Sequence, residues 1–396
     1  MNGYQDKRSA PLLFLSGDAA DHGISEWRLR APEPTERVTY GVRADPSRPV
    51  TRVAPEWADT EWDRTGFMLR ALQLKYPQVA ASHASAGVLY GLPLPGDCKD
   101  GQLHVSTADR NLRIRRPGVV LHRVADFQWT NVLGHQLMTA PSLFLQFAAS
   151  LDLLSLVMVG DAMIGSWHGP RLCTLPQLTD HFSSRKSVKN RRGVEDALVL
   201  IRPDVDSPRE TELRLWIMSV GLPEPEIHPQ IFCQQLNTTI RPDLGYAAAR
   251  LAIEYESDFH RTDRRQWNMD IDRENALEHE GWALIRVTSR TDRRMLERQI
   301  RSHLEHAGLP VTVSSGSRTP RVGIEPGGPP DPAGGHRTRR TSGPGGGASS
   351  PAQGRRKSPR RTSILWSPHR GESDFSAAAP RCGDHKRRVT GPRERG

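Results

Sequence analysis

The sequence predicts a mixed α/β (α+β) fold followed by a disordered tail, and three observations carry that prediction. Between Thr239 and Val287 two short apolar runs, a polar loop, an amphipathic stretch and a further apolar run succeed one another, as in two strands, a helix and a third strand. Upstream, short helix-like and strand-like segments alternate and are punctuated by Gly and Pro. After Pro310 apolar periodicity ends and Gly, Pro, Ser and Arg dominate, a composition that cannot bury enough surface to fold.

Charge must be located before it is interpreted. The 396-residue chain carries 55 Lys+Arg and 45 Asp+Glu, a net +10. Residues 312–396 hold 17 of the basic and 6 of the acidic residues, which leaves 38 against 39 for residues 1–311. The basic character therefore lies in the tail, and the overall charge says nothing about the surface of the folded part. That tail reads either as a nonspecific nucleic-acid-binding arm or as an extension without selected function. Cys98, Cys173, Cys233 and Cys382 are far apart and form no C-x-x-C pair, which fits a reducing compartment and argues against a zinc knuckle or a disulfide framework. The most apolar stretch, Leu143 to Ile164, is interrupted by Gln146, Asp152 and Asp161 and does not read as a bilayer span. The expectation is a soluble, cytoplasmic protein with no membrane partner. The sequence leaves its oligomeric state open.

Within residues 10–58 the pattern reads as a small helix-turn-helix unit with a wing. Asp18–His22 and Ser25–Arg30 are the two short helices around Gly23, and Val38–Val42 is the strand. Residues 59–200 continue with a long helix and then Ser82-His83-Ala84-Ser85-Ala86. That segment reads as a helix cap and a small-residue packing face rather than a catalytic His/Ser pair. Leu103–Ser106 and Val119–His122 alternate like strands, with the basic run Arg110–Arg116 between them as a hairpin loop or a phosphate contact. Pro141 suits the first turn of the apolar helix, and Arg185–Arg192 is a basic linker into a helix ending near Ile201.

Residues 205–308 carry the chemistry. Ser207-Pro208-Arg209-Glu210 opens a helix with a serine cap, a proline in the first turn and Glu210 closing a capping box. Leu213, Trp216, Ile217 and Val220 share one face of that helix, and Gly221 stops it. In Leu251-Ala252-Ile253-Glu254-Tyr255-Glu256 alternation sends Glu254 and Glu256 to one face and Ile253 and Tyr255 to the other. Pairing through the Gly245–Arg250 turn brings Asp243 to the face of Glu254. Three carboxylates so placed repel one another unless a cation intervenes, and Mg²⁺ takes oxygen ligands of this kind. The bland alternative is an edge strand whose acids face solvent, with Glu254 paired to Arg286 and Asp270 to Arg273.

Ser207-Pro208-Arg209-Glu210-Thr211-Glu212-Leu213-Arg214, Arg241-Pro242-Asp243-Leu244, Ile253-Glu254-Tyr255-Glu256, His260-Arg261-Thr262, Asp270, Arg273, Leu277, Gly281-Trp282 and Arg286-Val287-Thr288 follow one another in order. Together they resemble a bacterial domain of unknown function related to the very-short-patch-repair endonucleases of the PD-(D/E)xK superfamily. Residues 10–200 resemble the winged helix and following region of AbiEi-type abortive-infection antitoxins. Ser82–Ala86, Gly91–Pro95, Arg116–Val119 and His122-Arg123 carry that likeness. The resemblance implies an N-terminal winged-helix-like region and a C-terminal restriction-endonuclease-like mixed sheet flanked by helices. It implies Asp243, Glu254 and Glu210 as ligands of Mg²⁺, with Mn²⁺ as the alternative ion. His260 would be a general base or phosphate contact, and Gln266 and Arg273 would hold the phosphate or orient the attacking water. The sequence departs from the superfamily at Glu256, which stands where the lysine falls, and at Ser257, where relatives have glycine.

Two readings follow. One is a Mg²⁺-dependent DNA endonuclease hydrolysing phosphodiesters, with DNA and a toxin or repair protein as partners. The other is a catalytically inactive, DNA-binding, antitoxin-like regulator. A third and weaker one is a partner-binding module whose tail attracts nucleic acid by charge alone.

Overall fold

The computed structural model describes residues 5–30, 35–166, 169–256 and 264–311, with the backbone alone at 5, 30 and 264–270. The tail at 312–396, Ser257 and His260 fall outside these residues, and so does the side chain of Gln266. The architecture is mixed α/β.

The N-terminal residues form a three-stranded antiparallel sheet, ordered β1-β3-β2, from β1 (Gln5–Leu15), β2 (Glu36–Thr39) and β3 (Val42–Pro55). This departs from the helix-turn-helix expectation. Residues 16–18 form a single 3₁₀ turn where a helix over Asp18–His22 was expected, and only the five-residue α1 (Glu26–Arg30) is helical. Segments this short between Gly17 and Gly23 cannot repay helix nucleation. The expected strand Val38–Val42 is split: Val38 and Thr39 end β2, Tyr40-Gly41 make a hairpin turn with Gly41 at φ 81°, and Val42 opens β3. The long β1–β3 ladder is hidden in the sequence by prolines. Pro11 stands opposite Pro49, and there the register slips, leaving Pro46–Arg48 bulged out of the pairing. Neither proline can donate to a ladder, so a bulge is where they are tolerated.

A second, five-stranded sheet has the order β6-β5-β4-β8-β7. Its strands are β4 (Ala80–Ala81), β5 (Leu103–Thr107), β6 (Val119–Arg123), β7 (Trp129–Val132) and β8 (His135–Met138). Helices α2 (Thr60–Lys75), α3 (His83–Tyr90), α4 (Ala140–Phe147), α5 (Leu153–Ile164), α6 (Leu175–Ser183) and α7 (Arg191–Leu200) share the largest core with it. Helix α2 is capped by Asp59, whose carboxylate accepts from the Trp62 N–H, and α3 ends at Gly91 in the left-handed region. Strands β5 and β6 pair in parallel, so the basic run between them is a crossover and not a hairpin loop. Their register places His104 opposite Val120 and Ser106 opposite His122. His104 and His122 are thus diagonal neighbours on one face.

The third sheet, ordered β14-β13-β12-β9, holds β9 (Glu226–Ile227), β12 (Leu244–Tyr246), β13 (Leu251–Tyr255) and β14 (Ala283–Val287). Its two faces are covered separately. Leu251 and Ile253 pack with Leu213, Trp216 and Ile217 of α8 (Pro208–Ser219) and with Leu296, Ile300 and Leu304 of α10 (Arg293–His306). Ala252 packs on the other side with Ala276 and Leu277 of α9 (Arg264–His279) and with the hairpin β10 (Ile231–Cys233)–β11 (Thr238–Ile240). The alternation read from the sequence is therefore the alternation observed, and β13 and β14 pair in parallel on either side of α9.

Helix α8 is tied to α5 by charge. Arg214, wholly buried, donates from Nη2 to Asp161 Oδ2 at 3.1 Å and to the Leu200 carbonyl at 2.9 Å. Its Nη1 donates to Glu224 at 2.9 Å, and Thr211 Oγ1 donates to the same Asp161 oxygen at 2.8 Å. Burial pushes the Asp161 carboxyl up to about 6, against the pull of Arg214, the Arg202 N–H and Thr211. No helix among the described residues is long and apolar enough to cross a membrane. Cys98, Cys173 and Cys233 are free thiols.

Candidate metal centre

Strand pairing sets the geometry. Leu244 pairs with Ile253 on one side and Ile227 on the other, so Asp243 stands beside Glu254 on β13 and beside His228 at the end of β9. The His228 N–H donates to the Asp243 carbonyl at 3.1 Å, and His228 adopts φ 47°, a conformation that costs a non-glycine residue energy. Gly245 keeps β12 close to its neighbours, because a Cβ there would lie 2.7 Å from the Leu251 carbonyl oxygen.

Glu210 arrives from the first turn of α8. Ser207 Oγ accepts from the Glu210 N–H at 3.2 Å, as a helix cap should. The box closes one residue early, however: Glu210 Oε2 accepts from the Asp206 N–H at 3.0 Å, not from that of Ser207. The same oxygen lies 3.3 Å from His228 Nε2. Glu210, His228 and Asp243 can each offer a ligand atom within 4.8 Å of the others, and Glu210 is only 5% exposed.

Electrostatics follows from this crowding. Burial, helped by Glu210 and Glu254, pushes Asp243 up to about 6, although the Tyr255 N–H donates to its Oδ2 at 2.7 Å. The adjacent Glu210 carboxylate raises His228 in spite of its own burial. Asp243 and His228 therefore both keep their protons to higher pH than the free side chains.

The other expected residues are placed differently. Glu254 is salt-bridged to Arg273 Nη2 at 2.7 Å, so its counter-ion is Arg273 and not Arg286. Arg273 also donates to the Arg241 carbonyl at 3.1 Å. Glu256 lies 3.1 Å from Arg286 Nη1, and Arg286 reaches Glu274 at 2.9 Å with its other nitrogen. Sequence reasoning missed His228. Its signal was present, since Glu226-Ile227-His228-Pro229 ends a strand just as Arg241-Pro242-Asp243 begins one, but no motif singles out that histidine.

A second cluster unites His83, His104 and His122, again with ligand atoms within 4.8 Å of one another. Comparison of the chain with family models, curated proteins and solved structures finds no match.

Proposed function

We propose that the chain is a divalent-metal-dependent DNA endonuclease whose centre is Glu210, Asp243 and His228, with Glu254 on the adjoining strand. The observation that carries this reading is the convergence of two carboxylates and an imidazole within 4.8 Å at one edge of a mixed sheet. Two acids this close, one of them almost fully desolvated, call for a cation or a shared proton. Their oxygens suit Mg²⁺ or Mn²⁺, and the imidazole shifts the preference towards Mn²⁺.

Glu210 and Asp243 would hold such an ion, which would lower the pKa of a bound water and offset charge on the scissile phosphate. In this reading the Asp206 and Tyr255 N–H groups fix the orientation of those carboxylates. Arg273 and Gln266 position the phosphate or the attacking water, and His260 accepts its proton. Arg286, paired with Glu256, brings positive charge to the strand position where the superfamily has lysine. The PD-(D/E)xK restriction-endonuclease-like fold and the winged-helix-like N-terminal region belong to the same proposal. So do the DNA and toxin or repair-protein partners and the cytoplasmic location. The three-stranded N-terminal sheet lends the winged-helix part no additional support.

One observation favours the second reading, a DNA-binding regulator without catalysis: Arg273 neutralises Glu254 directly, at 2.7 Å. A plasmid-nicking assay with Mg²⁺ or Mn²⁺ separates the two. Nicking by the full chain that Asp243→Asn abolishes supports the endonuclease. If Asp243→Asn and Glu254→Gln leave every measurable activity intact, the regulator stands instead.

A further inference from the structure

We propose a second, nitrogen-donor metal site at His83, His104 and His122, selective for a zinc-type divalent transition ion. The three residues come from separate elements: the start of α3, β5 and β6. His104 Nδ1 lies 3.0 Å from His122 Nε2. In a tetrahedral site with Zn–N bonds of about 2.0–2.1 Å, ligand nitrogens are about 3.3 Å apart, so these two nitrogens must separate by a few tenths of an ångström.

The surroundings are those of a supported ligand set. Asp100 accepts from His104 Nε2, with its two oxygens 3.1 and 3.2 Å away, which leaves Nδ1 of that ring as the lone-pair donor. A carboxylate behind a ligating imidazole is the usual outer shell of a zinc site, fixing the tautomer and raising ligand basicity. Ser82 Oγ sits 3.1 Å from His83 Nδ1, and the His83 N–H donates to Gln146 Oε1 at 3.1 Å. His83 is held at φ 49°. Burial first, then the neighbouring histidines and Lys189, keep His83 and His122 in the neutral form that binds metal.

As the rings stand, His83 and His122 are stacked with centroids 3.8 Å apart. Convergence of their in-plane lone pairs on one ion takes a rotation about χ2, a torsion with a broad potential. Three protein ligands leave a fourth position for water, the arrangement of catalytic rather than structural zinc.

The test uses the full chain and Zn²⁺, followed by calorimetry, with histidine ¹⁵N correlation spectra on the unaltered chain. We expect a site whose affinity falls at least tenfold in His104→Ala and in His122→Gln and is unchanged in Asp243→Asn, the variant that removes Zn²⁺ bound at Glu210, Asp243 and His228. Asp100→Asn should weaken it about 10-fold through the outer shell. In the spectra, ring nitrogens of His83, His104 and His122 should shift together on Zn²⁺ addition, a readout that needs no variant to fold. Zn²⁺ affinity unaltered by both histidine substitutions, or no shift at these rings, would overturn the proposal and leave three packed imidazoles without an ion.

Discussion

Two sheets of this molecule each gather a trio of side chains, and each trio includes a histidine in left-handed conformation, His83 at φ 49° and His228 at φ 47°. Their electrostatics diverge. Imidazoles can shed their charge, and burial holds His83 and His122 neutral where they stack, with His104 beside them and a single acid, Asp100, behind it. Carboxylates cannot become neutral without binding a proton. The Glu210–Asp243 pair therefore draws counter-charge from His228, whose proton the Glu210 carboxylate helps to hold, while Arg273 and Arg286 occupy the adjacent acids Glu254 and Glu256. The lesson is that local compensation reveals what kind of cation a cluster suits: oxygen-rich and charged for a hard ion, nitrogen-rich and neutral for a borderline one.

The sharpest way to break this comparison is to uncouple the two clusters mechanically. Helix α8 carries both Glu210 and Arg214, and Arg214→Met strands the buried Asp161. We expect a loss of about 3–5 kcal/mol in denaturant unfolding and loss of metal-dependent nicking, because Glu210 moves with the helix. Zn²⁺ binding at the histidines should persist wherever the variant stays folded. Equal damage to both sites would show that they are not held independently.

Next in size is the chemistry. Asp243→Asn should lower metal-dependent nicking at least about 100-fold, equivalent to about 2.7 kcal/mol of barrier, while circular dichroism stays unchanged. A reduction of only two- or threefold would move the weight to the regulator.

The pH response comes third. Both Asp243 and His228 are raised in the folded chain. Their stabilising contributions are thus fully present below the unfolded pKa values, about 3.9 and 6.5, and are lost as pH rises through about 6 for Asp243 and above 6.5 for His228. With chelator present, the Asp243→Asn chain should gain on the native one by on the order of 2 kcal/mol between pH 4 and pH 7. A melting-temperature gap that stays constant over this range contradicts the assigned protonation.

The smallest effect is expected at Arg273, whose side chain is partly exposed. If it serves only as the counter-ion of Glu254, Arg273→Gln should tighten Mn²⁺ binding by roughly 1 kcal/mol, a figure reduced by solvent screening. If it holds phosphate, DNA binding should weaken while Mn²⁺ affinity stays level. Parallel titrations with Mn²⁺ and with duplex DNA distinguish the two roles.

The C-terminal domain was far more legible than the N-terminal sheet. Ser207 as a cap, Gly221 as a stop, and the alternation of Ile253 and Tyr255 against Ala252 and Glu254 all depend on nearest neighbours, and each is realised. The β1–β3 ladder was illegible because Pro11, Pro46 and Pro49 depress strand propensity, and only pairing across some forty residues shows that they lie at a bulge. The basic run at 110–116 was misjudged as a hairpin loop because alternation identifies a strand without giving the direction of its partner.

By itself, then, the sequence determined the helix at Pro208–Ser219, the two faces of β13 and the pairing that sets Asp243 beside Glu254, because these depend on residue periods and short-range turns. It did not determine the division of residues 226–240 into β9 and the β10–β11 hairpin. Tertiary structure alone decided the partners. It brought His228 rather than Glu254 within reach of Glu210, and it gave Glu254 to Arg273 and Glu256 to Arg286. It also laid His104 and His122 side by side through a parallel register. Which charges meet is set by how separate elements pack, and no local pattern encodes the approach of side chains that are distant in the chain.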